Sequence, residues 1–205
     1  MSDSGIDICY RIDIIMCGIM TEWAQHYDEI PKALSNNGEI RLHALELIAD
    51  EPIIGKCLEG GTRKEDFRTI LSELVKGEID HATAEQRVSS ELPPSNSLHM
   101  GNNHVFNSQW KERLIRSQLS RFYNQSVMEI LEERGDSECF VPRSPREDTT
   151  SDCTQQLAGG KHATSELLRA LYSQQRQGNW NDGVTVPGHA NCTHTVVPTE
   201  LAQNN

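Results

Sequence analysis

Aromatic side chains are scarce in this 205-residue chain, at 5%, and hydrophobic residues of all kinds reach only 36%. Mean hydropathy is −0.57. A modest core with much solvated or partner-covered surface is the expectation. The chain also lacks a long uninterrupted apolar run. The stretch from Ile6 to Met20 is broken by Asp7, Arg11 and Asp13, which argues against a signal h-region and against a membrane span. Basic residues are outnumbered, 19 Lys and Arg against 30 Asp and Glu, for a net charge of −11. Non-specific nucleic-acid binding needs clustered bases to neutralise phosphates, so only a local basic patch remains open. Paired Cys-x-x-Cys motifs are missing too. The six cysteines stand apart at 9, 17, 57, 139, 153 and 192, and reduced thiols are the default. Ala158 to Lys161 lacks the upstream Gly and following hydroxyl of a phosphate loop, and reads as a turn before a helix starting near His162.

What is present is helical periodicity. Ile8, Ile12, Ile15, Ile19 and Trp23 predict an opening helix to about Tyr27, with Pro31 ending it. A second helix fits 39–49. Thr62 and Glu65 have the spacing of a capping box, followed by the apolar face Phe67, Ile70, Leu71 and Leu74 and a left-handed stop at Gly77. Residues 1–92 therefore read as a helical array. Consecutive Pro, Ser, Gly and Asn place a linker at 93–107.

The longest helix is expected over about 108–134, with an apolar stripe from Ile115 to Leu131 and a stop at Gly135. Its bases come early, at Lys111, Arg113, Arg116 and Arg121, and its acids late, at Glu129, Glu132 and Glu133. This order opposes the helix dipole. The four bases are either an ordinary solvated face or a patch for an acidic partner, and they are the candidate partner-binding residues. A further helix fits 163–177, and short strands fit 138–141, 184–186 and 195–197. The fold class expected is α+β, predominantly helical: an N-terminal helical array, then a small α+β C-terminal domain over 108–198, with 199–205 as a tail.

The chemistry concentrates near the C-terminal end. His189, Cys192 and His194, joined by Cys153 or His162 through folding, offer enough nitrogen and sulfur for a tetrahedral zinc site. The alternative is that Cys153 and Cys192 are small buried residues in a loop-rich core, with the histidines bonded to nearby backbone. Cys153 paired with His162 or His189 could also be drawn as an activated thiol nucleophile, although no oxyanion hole is evident. Asp148 and Asp152, flanking Thr149, Thr150 and Ser151, read as turn and cap chemistry.

Three elements in order carry a resemblance: the Arg-rich helix around Arg116, Ser117 and Gln118 ending at Tyr123 and Asn124; the segment Asp148 to Cys153 and on to Gly159; and Pro187 to Pro198 with His189, Cys192 and His194 inside it. Together they resemble the core of the phage head-morphogenesis family, the Mu F-like minor capsid proteins, over roughly residues 110–198. Gln118 stands where that family has an acid, and Thr149 where it has an Arg. The resemblance implies a non-catalytic minor capsid protein of a tailed bacteriophage, acting near the portal in head assembly, DNA packaging or ejection. It implies portal and other head proteins as partners, packaged DNA as a further candidate, and no membrane. The location implied is the virion, and the host cytoplasm during assembly. Two other classes compete. A zinc- or thiol-dependent enzyme would use the Cys and His cluster, and a DNA mimic would need a contiguous acidic face that these dispersed acids do not form.

Overall fold

A computed structural model describes residues 22–178 and 183–204 of the chain. Most of the expected opening helix lies outside the described residues. From Trp23 the chain bends into a 3-10 turn at Tyr27–Glu29 and then α1 (Ile30–Asn36). Pro31 sits in the first turn of α1, so it starts a helix here and does not end one. Its fixed φ suits that position, where the missing N–H would have had no partner. Then come α2 (Gly38–Asp50), α3 (Arg63–Lys76), α4 (His81–Glu91), α5 (Trp110–Arg134), β1 (Glu138–Val141), α6 (Asp152–Gln156), β2 (Gly160–Ala163), α7 (Thr164–Gln177) and β3 (Val197–Pro198). The architecture is a predominantly helical α+β fold with a small three-stranded antiparallel sheet in the order β2-β1-β3.

Local chemistry explains several boundaries. Gly77 and Gly135 take the left-handed conformation that ends α3 and α5. The capping box at α3 does not form, because the Thr62 hydroxyl donates to the Asp66 carboxylate instead. Helix α4 was not anticipated. Asp80 caps it by accepting from the Thr83 amide at 2.8 Å, and Ala84, Val88 and Leu92, spaced by four, bury its inner face. Strand β1 falls where expected. Gly160 and Lys161, expected in a turn, and His162 and Ala163, expected at a helix start, instead form β2, with Cys139 opposite His162 and Phe140 opposite Lys161. No strand forms at 184–186, and the third strand is Val197–Pro198.

Helix α5 organises everything else. It packs against α2, α3, α4 and α7. From Gln118 to Met128 every residue is buried, so this segment has no solvent face. That corrects the expected one-sided stripe. Several polar members bond internally: Ser126 donates to the Phe122 carbonyl at 2.7 Å, and Asn124 Nδ2 donates to the Ser120 carbonyl at 2.8 Å, while Arg121 Nε and Gln125 Oε1 are buried without a partner among the described residues. Residues 93–107 are turns and one 3-10 turn, as expected of a linker, but they separate no cores. Buried side chains from Trp23 to Leu201 form one continuous cluster. The 93–107 stretch is pinned down as well, since the Leu98 amide and the Ser97 hydroxyl both donate to the Glu59 carbonyl. The 199–205 stretch is not a free tail either: Thr199–Asn204 is a 3-10 helix against β1, with Leu201 buried.

Candidate metal centre

The four bases singled out on α5 have four different fates. Arg121 is 1% exposed and donates to the Pro52 carbonyl at 2.7 Å. Glu51 lies 3.8 Å from it and also accepts from Arg176 at 3.0 Å. Burial draws the Arg121 guanidinium down to about 10, and Glu51 works against that fall. Arg121 therefore serves the interior, and its expected role at a partner surface is corrected: no partner can reach it. Arg116 is half-buried, bonded to Glu112 at 3.3 Å and lying 4.4 Å from the Tyr27 ring centre. Lys111 lies beside Ala82, Gln86 and Ser89 of α4. Arg113 has no ion pair or side-chain hydrogen bond among the described residues, and its Nε is buried without a partner.

The C-terminal residues converge. Segment 183–198 is strapped across the molecule by backbone bonds that its sequence does not advertise. The Val196 amide donates to the buried Asn124 carboxamide at 2.8 Å, and the Tyr27 amide donates to the Thr193 carbonyl at 2.9 Å. The Thr195 hydroxyl donates to the Ala24 carbonyl, and Thr185 to the Leu167 carbonyl. This strapping carries Cys192 and His194 to the start of α6, where Cys153 sits in the first turn. Gly188 permits the approach: a Cβ on it would lie 3.1 Å from the Cys153 Cβ.

The Cys153 and Cys192 sulfurs are 3.7 Å apart as free thiols, and Cys192 Sγ is 3.6 Å from His194 Nδ1. One ligand atom from each of Cys153, Cys192 and His194 fits within 4.8 Å of the others, so this buried cluster could hold a metal ion. His189 and Cys153 both line a cleft of about 420 Å³, and His189 Nδ1 accepts from the Asn191 amide at 3.3 Å. Ser151 Oγ lies 3.3 Å from the Cys153 sulfur on the other side. The far nitrogen of His194 is 3.3 Å from Glu147, whose carboxylate also accepts from the Ser144 amide and Arg143. A carboxylate on Nε2 holds that nitrogen protonated and leaves Nδ1 bare toward the sulfurs, the outer-shell arrangement of histidine metal ligands.

The electrostatics agree. The Cys153 thiol is pushed far down, chiefly by the hydrogen bond from Cys192, with His189, His194 and Ser151 assisting against burial. Cys192 is pushed up, by its bond to Cys153 and by burial. Burial alone would lower His194, but the Cys153 and Glu147 contacts raise it; His189 is raised by Cys153. A divalent ion that displaced the protons shared among these thiols and imidazoles would find the same sulfurs and nitrogens as its ligands.

One alternative from the sequence does not join. His162 faces the Leu157 carbonyl at 2.8 Å in β2, away from the sulfurs. Cys139 is buried on β1 with its thiol raised to about 11 by desolvation. Asp148 does form the expected turn, accepting from the Thr150 amide at 2.9 Å and from its hydroxyl. Glu147 and Asn124 went unmarked in the sequence. Asn124 closes the helix segment of the resemblance and Glu147 abuts its second segment, yet neither has a motif of its own. No helix among the described residues is long and apolar enough to cross a membrane. No family model, curated protein or solved structure compared with this chain matches it.

Proposed function

We propose that this chain is a minor capsid protein of tailed-phage head morphogenesis, a non-catalytic component acting near the portal, with a structural zinc fastening its C-terminal segment. One observation supports the reading above others. The first two of the three segments that carry the family resemblance are each bonded to the third: Asn124 holds Val196, and Cys153 faces Cys192. Residues spaced so far apart in sequence and joined around a common fastening suit a scaffold whose task is to present surfaces.

Cys153, Cys192 and His194 are the three ligands that the fold gathers, and in this reading His189, from the lining of the neighbouring cleft, turns in as the fourth. Two sulfurs and two imidazoles would then close a tetrahedral set and leave no position for substrate, which is the arrangement of a structural site. Zinc supplies cross-linking here, and Glu147 orients His194. The partners are portal and other head proteins, with packaged DNA a weaker candidate given the net charge of −11.

A second reading, a thiol- or zinc-dependent enzyme, draws on the depressed Cys153 thiol and on His189 at the rim of the cleft. The deciding experiment is a pull-down of the tagged chain against the structural proteins of its phage, with metal analysis of the same sample. Co-purification with portal or major capsid protein supports the structural reading. If no head protein binds, and a Cys153 thiolate labels rapidly with iodoacetamide in the metal-bound protein, the enzyme reading replaces it.

A further inference from the structure

Arg113 stands out because it is alone. The chain has 30 acids for 19 bases, yet none of the described acids pairs with this guanidinium, and its Nε is buried without an acceptor. A guanidinium without an acceptor is open to a ligand that supplies one. The side chain lines a hollow of about 160 Å³ that includes Ile54, Gly55, Ser117 and Ala190. A second hollow of about 180 Å³ shares those four residues and continues to Pro187 and His189. The two form one groove, running from the first turns of α5 to the loop beside the Cys and His cluster. Its walls at the Arg113 end are Val105, Trp110 and Leu114. Trp110 is braced edge-on by Phe106, with ring centres 5.1 Å apart. No acid lines either hollow.

We propose that this groove docks a short acidic segment of a partner protein, with an Asp or Glu carboxylate on Arg113 and a neighbouring apolar side chain against Trp110 and Ile54. The chemistry selects this occupant. A carboxylate accepts two parallel N–H bonds from the two terminal nitrogens of one guanidinium. Apolar walls reward a side chain that nucleic acid does not carry. A polyanion tracked along its backbone needs several bases, and a chain of net charge −11 repels it at long range; one carboxylate on a short segment meets only the local field. The proposal rests on the binding role proposed above for its biological partner, but the groove's selectivity stands on its own residues.

The test uses the full zinc-loaded chain. A random dodecapeptide display library is selected against it, and one enriched peptide is labelled and titrated by fluorescence anisotropy at near-physiological salt. Enriched peptides are expected to carry Asp or Glu next to an apolar residue. Binding should weaken about ten-fold or more with Arg113→Gln and by less with Arg113→Lys, which keeps the charge and loses the fork. Exchanging the peptide's acid for its amide should cost a similar factor. Thermal melts of the two variants show that both fold. Enriched peptides indifferent to Arg113, or to loss of their own carboxylate, would overturn the proposal. So would inorganic phosphate or a short DNA duplex displacing the peptide at submillimolar concentration, because the site would then be a general anion site. The capsid reading is tested separately: acidic peptides binding through Arg113 with no head protein captured would leave the groove standing and sink that reading.

Discussion

Two polar assemblies lie near α5, and they are complete to different degrees. On the α2 and α7 side, Arg121 of α5, Arg176 of α7 and Glu51, just past the end of α2, form a charge cluster, with Arg176 stacked 3.8 Å from the centre of the Tyr172 ring. Every charge there has an opposite charge from the chain itself. On the α6 side, Cys153, Cys192, His189 and His194 collect donors with one outlying carboxylate, Glu147, and shift one another's proton affinities in opposite directions. In the first assembly one carboxylate serves two guanidiniums, and the chain supplies all of the pairing. The second could hold a metal ion, and on the zinc reading the polypeptide supplies the cage and leaves the central charge to a ligand.

The sharpest way to break the comparison is to remove metal. If zinc holds the α6 side, chelation should lower the thermal midpoint by roughly 10 °C, since a ligand at a thousand times its Kd contributes about 4 kcal/mol and each kcal/mol moves a domain of this size by about 2–4 °C. Differential scanning calorimetry with and without chelator checks it, and no change would show that the thiols hold the segment unaided. Next in size is Glu51→Gln, which leaves the Arg121 charge buried against Arg176 and should cost about 3–5 kcal/mol in urea unfolding, with no effect on metal content. Asn124→Ala strands the Val196 amide and should cost about 1–3 kcal/mol; hydrogen exchange at that amide is expected to rise with it. Glu147→Gln is smaller in stability and specific in readout. Zinc affinity should fall about 10- to 100-fold by competition titration, while the metal-free protein melts as wild type does.

The smallest effect belongs to Asp80, a control distant from both assemblies. Asp80→Ala should give a slight fall in midpoint through loss of the α4 cap, and Asp80→Asn should restore it. Its bonds to Thr83 hold the Asp80 carboxyl below its ordinary value. The cap's contribution is therefore complete above the unfolded value near 3.8 and disappears as pH falls through the lower folded value. Melts of wild type and Asp80→Ala should converge in that acid range.

The helices that could be read from the sequence were those with a stripe and a stop: α2, α3, α5 and α7 appear within a residue or two of their expected bounds. Strand β1 was legible for the same reason, as a short apolar run after a glycine. Helix α4 was missed because its inner face is small, Ala84 and Val88, and weak in any hydrophobic pattern. The character of α5 was misjudged for a deeper reason. Periodicity counts polar residues as outward-facing, whereas Gln118, Ser120, Arg121, Asn124 and Ser126 face inward and spend their polarity on backbone carbonyls or on one another. The candidate metal site was half legible. Cys192 and His194 announce each other by proximity, and Cys153 was tied to them by the resemblance. Glu147 acquires its position from a turn that sequence spacing does not encode, and Arg121 was placed on the surface because charge alone says nothing of depth.

The bond from Thr195 to Ala24 spans 171 residues. During synthesis the helices from α1 to α5 can leave the ribosome and pack while residues 193–196 are still unmade. For that interval the carbonyl of Ala24, the amide of Tyr27 and the carboxamide of Asn124 have only water to bond with. Closing a loop of that length is slow relative to local helix formation. The nascent protein thus passes through a helical bundle with an open seam, and the stretch 193–196 closes it once it has emerged.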